Sequence, residues 1–235
     1  MLGIKHGGKD SGAVNKSFGY QEKDVALSVV LALKRELESR GLRVVTTRET
    51  DVTMDYKQRV AIENKNKCDL AVSIHLNGFS NENANGYEVW VHHNANAKTI
   101  NQANCIVEQL STTPIKKRGL RKGHPNAPQG DFWVNRLTNA PSMLVELGFI
   151  TNLKDITYII NNTKHIAYIL ANGICKAIDY TPKNKEPKKP KFELVIPNLS
   201  ESDYKNILNV KIANGLAFEE WLRLQGYKAE KRETK

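Results

Sequence analysis

The chain has 235 residues, enough for one substantial domain and a small second one, and its 40% hydrophobic residues can form a folded core. Its 35 Lys and Arg against 25 Asp and Glu give a net charge of +10, which favours a polyanionic partner such as nucleic acid, an anionic membrane or an acidic polymer. The chain has three cysteines, an odd number, and none of them has C-x-x-C spacing. This argues against both a disulfide framework and a zinc site made of thiolates.

The N-terminal segments predict alternating strands and helices. A short strand over residues 2–4 leads into a loop at 6–13, where two glycines after a histidine allow a tight turn beside the ring. Residues 22–40 carry apolar side chains at every fourth position and predict an amphipathic helix that Gly41 ends. A strand over 42–47 and a helix over 55–67 follow, so this half of the chain has the element order of an α/β sheet.

The stretch 70–77 is a short apolar run with β-branched residues, which predicts a strand buried on both faces. It ends on His75 and Asn77. A neutral imidazole at the point where a buried strand opens onto a loop is placed as a metal ligand or general base would be. For His75 alone, a hydrogen-bonded core histidine is the more common outcome. The metal hypothesis therefore depends on whether other ligand-type residues come to the same strand ends.

The middle of the chain predicts a strand over 86–92 and a helix over 97–110, both from clear hydrophobic periodicity. Residues 111–129 are rich in Gly, Pro and basic residues and predict a long loop. Such a loop over a crevice is commonly functional, although a solvated basic loop is the plainer interpretation. A short strand is predicted over 132–134.

Residues 141–152 predict an apolar strand that contains one carboxylate, Glu146. A buried glutamate is costly unless a cation pairs with it or it takes part in chemistry, so Glu146 is the strongest signal in the chain apart from the histidines. Helices over 155–161 and 165–179 complete the domain. Together the elements predict an α/β fold with a mixed, mostly parallel sheet flanked by helices.

The C-terminal region predicts a separate small α+β module. Prolines and lysines over 181–191 predict an extended linker. Beyond it, a strand is predicted over 192–196, a helix from Ser200 and a short helix over 217–224. A module of residues 192–235 is close to the lower size limit for independent folding, so we expect it to dock on the first domain or to self-associate.

Several segments together resemble the zinc-dependent N-acetylmuramoyl-L-alanine amidases of the amidase-3 type, which are found among bacteriophage endolysins and bacterial cell-wall hydrolases such as autolysins. The resemblance covers residues 1–180 and favours an endolysin. It is carried by the following residues in the order of the family: His6-Gly-Gly-Lys-Asp-Ser-Gly-Ala13, Glu22 at a helix start, Thr47-Arg48, Arg59, Val72-Ser-Ile-His-Leu-Asn77 and Leu144-Val-Glu-Leu-Gly-Phe-Ile-Thr-Asn152.

The resemblance implies that His6, Glu22 and His75 bind zinc and that Glu146 is the catalytic carboxylate. Three nitrogen or oxygen ligands with an open fourth position describe a catalytic rather than a structural zinc site. The implied reaction is zinc-assisted hydrolysis of the amide bond between N-acetylmuramic acid and L-alanine of the peptidoglycan stem peptide, with Glu146 as the general base. Weaker candidates for orienting the substrate, of which the two arginines suit structural salt bridges equally well, are Asn77, Arg48 and Arg118.

The implied partners are peptidoglycan and, through the basic charge, anionic wall polymers, without specific nucleic-acid binding or membrane insertion. No apolar run reaches membrane-spanning length, and the polar segment from Lys5 leaves no room for a signal peptide. We therefore expect a soluble protein made in the cytoplasm that acts at the cell wall after release. The module at 192–235 is, by its position, a candidate wall-binding or homo-oligomerising segment.

Two alternatives stay open at this stage. A zinc peptidase that cuts within the stem peptide would use the same ligands and base, because these groups do not define the acyl group of the substrate. A non-catalytic basic protein that binds nucleic acid or wall polymer would make His6 and His75 structural. The second alternative lacks the aromatic residues expected of a single-strand binder and leaves Glu146 buried without a reason.

Overall fold

The computed structural model describes residues 1–124 and 132–182, together with the backbone of 192–195 and 230–233. The chain divides into two units, Met1–Lys183 and Asn184–Lys235. The first unit contains a five-stranded sheet, a two-stranded ribbon and six helices in its described part. No helix among the described residues is both long and apolar enough to cross a membrane.

The central sheet is mixed, with the strand order β1-β4-β7-β5-β6. Strand β5 runs antiparallel to β7, and the other neighbouring pairs are parallel. This arrangement confirms the predicted α/β class with a mostly parallel sheet. The strands of the first unit, including the ribbon β2-β3, are β1 (Leu2–Ile4), β2 (Val14–Asn15), β3 (Tyr20–Gln21), β4 (Ala71–Asn77), β5 (Tyr87–Val91), β6 (Lys117–Lys122) and β7 (Ser142–Phe149).

Most of the helices occupy the predicted segments. Their starts follow local capping: Asp55 and Gln58 form a capping box at the start of α2, and Asn96 and Asn152 cap α3 and α5. The helices of the first unit are α1 (Glu22–Ser39), α2 (Tyr56–Lys65), α3 (Ala97–Leu110), α4 (Trp133–Leu137), α5 (Leu153–Asn161) and α6 (Thr163–Ala177).

The two faces of the sheet have different chemistry because side chains alternate along each strand. One face is apolar and packs against α1, α3, α5 and α6; its members include Leu2, Ile4, Val72, Ile74, Val89, Val91, Met143 and Val145. The strand positions between them form the opposite face, which is rich in polar groups: Ser73, His75, Glu88, Trp90, Leu144 and Glu146. The main hydrophobic core therefore lies on one side of the sheet, and the buried titratable groups of the strands lie on the other, where α4 packs against β7.

Two predicted strands are not present as strands. Residues 42–47 form only an isolated parallel bridge between Thr46 and Leu2, so this segment lies beside β1 without extending the sheet as a full strand. Residues 132–134 fall at the start of helix α4 instead. The Trp133 ring stacks on Tyr56 of α2 with ring centroids 4.6 Å apart, and this packing outweighs the β-propensity of the aromatic residues.

The predicted long loop at 111–129 contains a strand. Lys117–Lys122 form β6, which pairs in parallel with β5 at the edge of the sheet. Most of its side chains are exposed and basic, a composition that protects an edge strand from pairing with another chain. The remainder of the predicted loop includes residues 125–129, which lie outside the described residues.

The C-terminal unit is described only at two strands. β8 (Phe192–Val195) agrees with the strand predicted over 192–196 and pairs antiparallel with β9 (Glu230–Glu233), which the sequence analysis did not predict. The predicted linker at 181–191 falls outside the described residues from 183 onward. The helices predicted from Ser200 and over 217–224 also lie outside them.

One buried carboxylate that joins β7 to its neighbours gives a test of stability. Asp155 Oδ2 accepts hydrogen bonds from the backbone N–H groups of Gly86 at 2.8 Å and Phe149 at 3.0 Å. Asp155→Ala leaves both donors buried without a partner, so we expect the free energy of unfolding to fall by about 2 kcal/mol or more in urea denaturation. As a control, Glu108→Ala removes an exposed ion pair with Lys176 and should leave the unfolding midpoint unchanged.

Candidate metal centre and active site

Three predicted metal ligands come together at the carboxyl end of the sheet. His6 follows β1, Glu22 is the first residue of α1, and His75 lies near the end of β4. His6 Nε2 is 3.3 Å from Glu22 Oε2, and His75 Nδ1 is 3.0 Å from Glu22 Oε1. All three ligand atoms lie within 4.8 Å of one another. Ligands around a tetrahedral zinc ion are about 3.4 Å apart when the bonds are about 2.1 Å long, so this donor set fits zinc.

The backbone around His6 is shaped for this convergence. His6 itself has a φ of 53°, an uncommon value for a residue with a side chain. Gly12 has a φ of 67°, and a Cβ there would lie 2.6 Å from Glu22 Oε2 and 2.7 Å from His6 Cδ2. Only glycine therefore allows the loop to pass this close to the first two ligands.

Each histidine has a polar partner on the ring nitrogen that faces away from Glu22. Asp10 Oδ1 lies 2.8 Å from His6 Nδ1, and Ser73 Oγ lies 3.0 Å from His75 Nε2. A hydrogen-bond partner such as Ser73 fixes the orientation of a ligating imidazole, whereas the contact of Asp10 with His6 is an ion pair without hydrogen-bond geometry. Burial lowers the pKa of His75, although Glu22 opposes the shift. The lowered pKa favours the neutral imidazole that a metal requires.

Glu22 is held as a carboxylate. Burial alone would raise its pKa, but the hydrogen bond with His75, the electrostatic effect of the two nearby histidines and the N–H of Ala13 together hold the pKa of Glu22 below its usual value. The Ala13 N–H donates to Oε2 at 3.0 Å, and the Leu76 N–H donates to Oε1 at 3.3 Å. An ionised oxygen ligand is thus present between the two histidines.

Glu146 lies next to this ligand set. In the pairing of β4 with β7, Glu146 is directly beside His75. Burial raises the pKa of Glu146 well above its usual value, and the nearby carboxylates Glu22 and Glu88 raise it further. Its Oε2 atom is buried without a hydrogen-bond partner among the described residues. A carboxyl group with these properties is suited to accepting and returning a proton.

Glu88 is a buried carboxylate that the sequence analysis did not single out. It lies directly opposite Glu146 in the pairing of β5 with β7. Arg118 Nε donates to Glu88 Oε1 at 2.5 Å, and Trp90 Nε1 donates to Oε2 at 2.8 Å. The available signal was a glutamate inside the apolar run Tyr87-Glu-Val-Trp-Val91, the same pattern that identified Glu146.

The three predicted substrate residues lie in different surroundings. Asn77 is half-buried at the end of β4, where its Oδ1 accepts the N–H of Gly78 at 2.9 Å. Arg48 is buried and donates to the backbone carbonyl oxygens of Thr50 and Lys23, contacts that give it a structural role. Arg118 is partly exposed beside Glu88. Substrate binding by these residues stays a prediction.

A cavity of about 70 Å³ lies on the polar face of the sheet beside the ligand set. Ser73, His75 and Leu144 form its floor, and the aromatic residues Tyr56 and Trp133 of α2 and α4 form part of its wall. Of the candidate site residues, only His75 lines this cavity, which is far smaller than a typical ligand pocket.

The comparisons with known proteins agree with this geometry. Residues 1–180 match the family model described as N-acetylmuramoyl-L-alanine amidase, Amidase_3. The chain is 36% identical to YqiI of Bacillus subtilis over 152 residues, which are 64% of this chain and 69% of YqiI. It is also 36% identical to the probable cell wall amidase LytH of Staphylococcus aureus over 162 residues, which are 68% of this chain but only 50% of LytH.

A solved structure shows the same similarity in three dimensions. The catalytic domain of CwlV, an N-acetylmuramoyl-L-alanine amidase from Bacillus (Paenibacillus) polymyxa var. colistinus, is 30% identical, with a TM-score of 0.68. The match covers 77% of this chain and 98% of that domain. With the family match over three quarters of the sequence, these similarities assign the chain to a family of cell-wall enzymes: it belongs to the N-acetylmuramoyl-L-alanine amidases of the Amidase_3 family.

Proposed function

We propose that this peptidoglycan amidase is zinc-dependent and cleaves the amide bond between N-acetylmuramic acid and L-alanine, with His6, Glu22 and His75 holding the metal and Glu146 acting as the general base. The proposal is carried by the convergence of the three ligand atoms beside the buried carboxyl group of Glu146, whose Oε2 has no hydrogen-bond partner among the described residues. Zinc, when bound at such a site, polarises a carbonyl group and lowers the pKa of a water molecule to about 7.

The chain's own residues supply the remaining chemistry. Glu146 would take a proton from the attacking water and deliver it to the alanine nitrogen as the C–N bond breaks, so the amine leaves neutral. The raised pKa of Glu146 supports this role, because a carboxylate with a raised pKa is a stronger proton acceptor. Asn77, at the end of β4, and Arg118, beside Glu88, are the proposed contacts to the substrate.

The products of digestion test the proposed bond. Purified peptidoglycan treated with the enzyme should release new amino groups that label as N-terminal alanine, without new reducing sugar ends. New N-termini elsewhere in the stem would instead support a zinc peptidase. Tight binding to the wall without any product would support a binding protein. Mass spectrometry of the labelled fragments distinguishes these outcomes, with Glu146→Gln protein as the control.

We also propose that residues 1–180 form the catalytic domain, 181–191 a linker and 192–235 a wall-binding or self-associating module. The end of the family match at residue 180 and the unit boundary after Lys183 support this division. The net charge of +10 supports attraction to anionic wall polymers. Action at the cell wall and an endolysin role belong to the same proposal.

A further inference from the structure

Arg118 occupies an irregular position in the sheet. Tyr87 and Glu88 are consecutive in β5, but their partners in β6 are Lys117 and Gly119. Arg118 is therefore the extra residue of a β-bulge, a feature that is rare between parallel strands. A bulge redirects the side chain of the extra residue, and here it brings Arg118 toward the polar face on which Glu88 and Glu146 lie.

The Arg118 side chain is fixed along its length. A Cβ on Gly86 would lie 2.8 Å from Arg118 Cγ and 2.9 Å from Cδ. Only glycine at position 86 therefore leaves room for the Arg118 side chain in this position. Its Cζ lies 5.2 Å from the centroid of the Phe149 ring, within the range of a cation–π contact. Nε is held by the buried carboxylate of Glu88 at 2.5 Å. The guanidinium is thus preorganised rather than a free surface charge.

Although Nε of Arg118 is bonded to Glu88, its two terminal nitrogens are available to a ligand. Within residues 1–124 and 132–182, no hydrogen bond occupies the terminal Nη1 and Nη2 groups of Arg118, whose side chain is 35% exposed. Phe149, over which the guanidinium lies, pairs with Asn77 at the carboxyl end of β4. The free donor pair therefore lies at the same end of the sheet as the metal ligands and Glu146.

We infer that Arg118 binds a carboxylate of the stem peptide and that Glu88 is the residue that positions it. The inference rests on the proposed function and extends it to the substrate: stems that carry a free carboxylate near the scissile bond are favoured over stems in which that group is a carboxamide. Two parallel N–H donors match a carboxylate geometrically, whereas a carboxamide offers one acceptor and lacks the charge.

Glu88 does more than neutralise Arg118. A buried glutamate needs a compensating cation, and a purely structural pair would satisfy that need. The bulge and the glycine at position 86 instead determine where the guanidinium lies, and Trp90 fixes the second oxygen of Glu88. The two roles can be told apart by experiment. If Arg118 binds a substrate carboxylate, the enzyme distinguishes two substrates that differ in that single charged group, whereas a purely structural ion pair does not.

The test compares two soluble muropeptides in which the residue after L-alanine is either D-glutamate or D-isoglutamine, its α-carboxamide. The wild-type kcat/KM should be at least about tenfold higher for the carboxylate, chiefly through KM. Arg118→Ala should lower kcat/KM for the carboxylate much more than for the carboxamide, and Arg118→Lys should restore only part of the preference. Glu88→Gln should weaken the preference even though Arg118 is present. Lys122→Ala removes the same charge from an exposed position of β6 and should keep the ratio.

Binding of the same two muropeptides to Glu146→Gln protein, measured by calorimetry, separates this inference from the proposed reaction. One outcome is that the wild type hydrolyses neither muropeptide while the carboxylate form still binds more tightly in an Arg118-dependent way. That result would reject the proposed hydrolysis and support carboxylate binding by Arg118. Equal binding and equal turnover of the carboxylate and carboxamide muropeptides would reject carboxylate binding by Arg118. An Arg118→Ala effect that is equal for the two substrates also overturns it and leaves a structural ion pair.

Discussion

Replacing Glu146 by glutamine is expected to lower kcat/KM for peptidoglycan hydrolysis by about 10³-fold, because an amide cannot accept the proton of the attacking water or return it to the leaving amine. The shape of the side chain is retained, and the three proposed metal ligands are untouched. The substitution also removes a group whose burial raises its pKa and whose Oε2 lacks a hydrogen bond among the described residues. The protein should therefore keep its zinc and unfold at the same temperature or higher.

Three measurements on one preparation check this prediction: turnover of a soluble muropeptide, zinc content by mass spectrometry and thermal unfolding. Glu108→Gln is a control for the chemical change itself, because Glu108 is a glutamate on α3 that forms an exposed ion pair with Lys176. The control should retain most of its activity. Near-normal activity of Glu146→Gln would assign the carboxylate a structural role.

Removing a metal ligand should have an effect of similar size on activity, but through the metal. Wild-type protein should contain about one zinc ion per chain, and Glu22→Ala or His75→Ala should remove most of the metal and the activity with it. The structural reason is that Glu22 lies beside both histidines, at 3.3 Å and 3.0 Å, so its loss takes away the only carboxylate of the proposed ligand set.

His165→Ala provides the control for the metal experiment, since His165 is an exposed histidine on α6 that lies away from the ligand set. It should bind zinc as the wild type does. Full zinc content in His75→Ala protein would reject the ligand assignment. Absence of zinc from wild-type protein prepared without chelators would reject the metal itself.

The elements with a continuous apolar pattern were predicted well from sequence. Helix α3 occupies the predicted residues 97–110, and α1 ends one residue before the predicted limit. Both bury a regular stripe of side chains against the sheet, and such a stripe leaves a periodic signal in the sequence. The metal ligands were predicted through the family resemblance, and the structure brings His6, Glu22 and His75 within ligand distance of one another.

Elements that depend on neighbours distant in sequence could not be predicted. Strand β6 is basic on both faces because it lies at the sheet edge, so it has no apolar alternation. Helix α4 depends on the contact between Trp133 and Tyr56, which lie far apart in the chain. The role of Arg118 depends on a bulge in the pairing of β5 with β6, and a change of register leaves no trace in a single sequence.

The different chemistry of the two sheet faces has a consequence for how such an enzyme can change over time. We expect substitutions at apolar positions such as Val72 or Val145 to act on folding, whereas the proposed roles of Glu88 and Glu146 on the other face predict effects on substrate choice and turnover. Burial raises the pKa of Glu146 and so disfavours its charged form, which makes this carboxyl group costly to the folded state. Preference for a new stem peptide could therefore evolve on one face while the hydrophobic packing on the other remains intact.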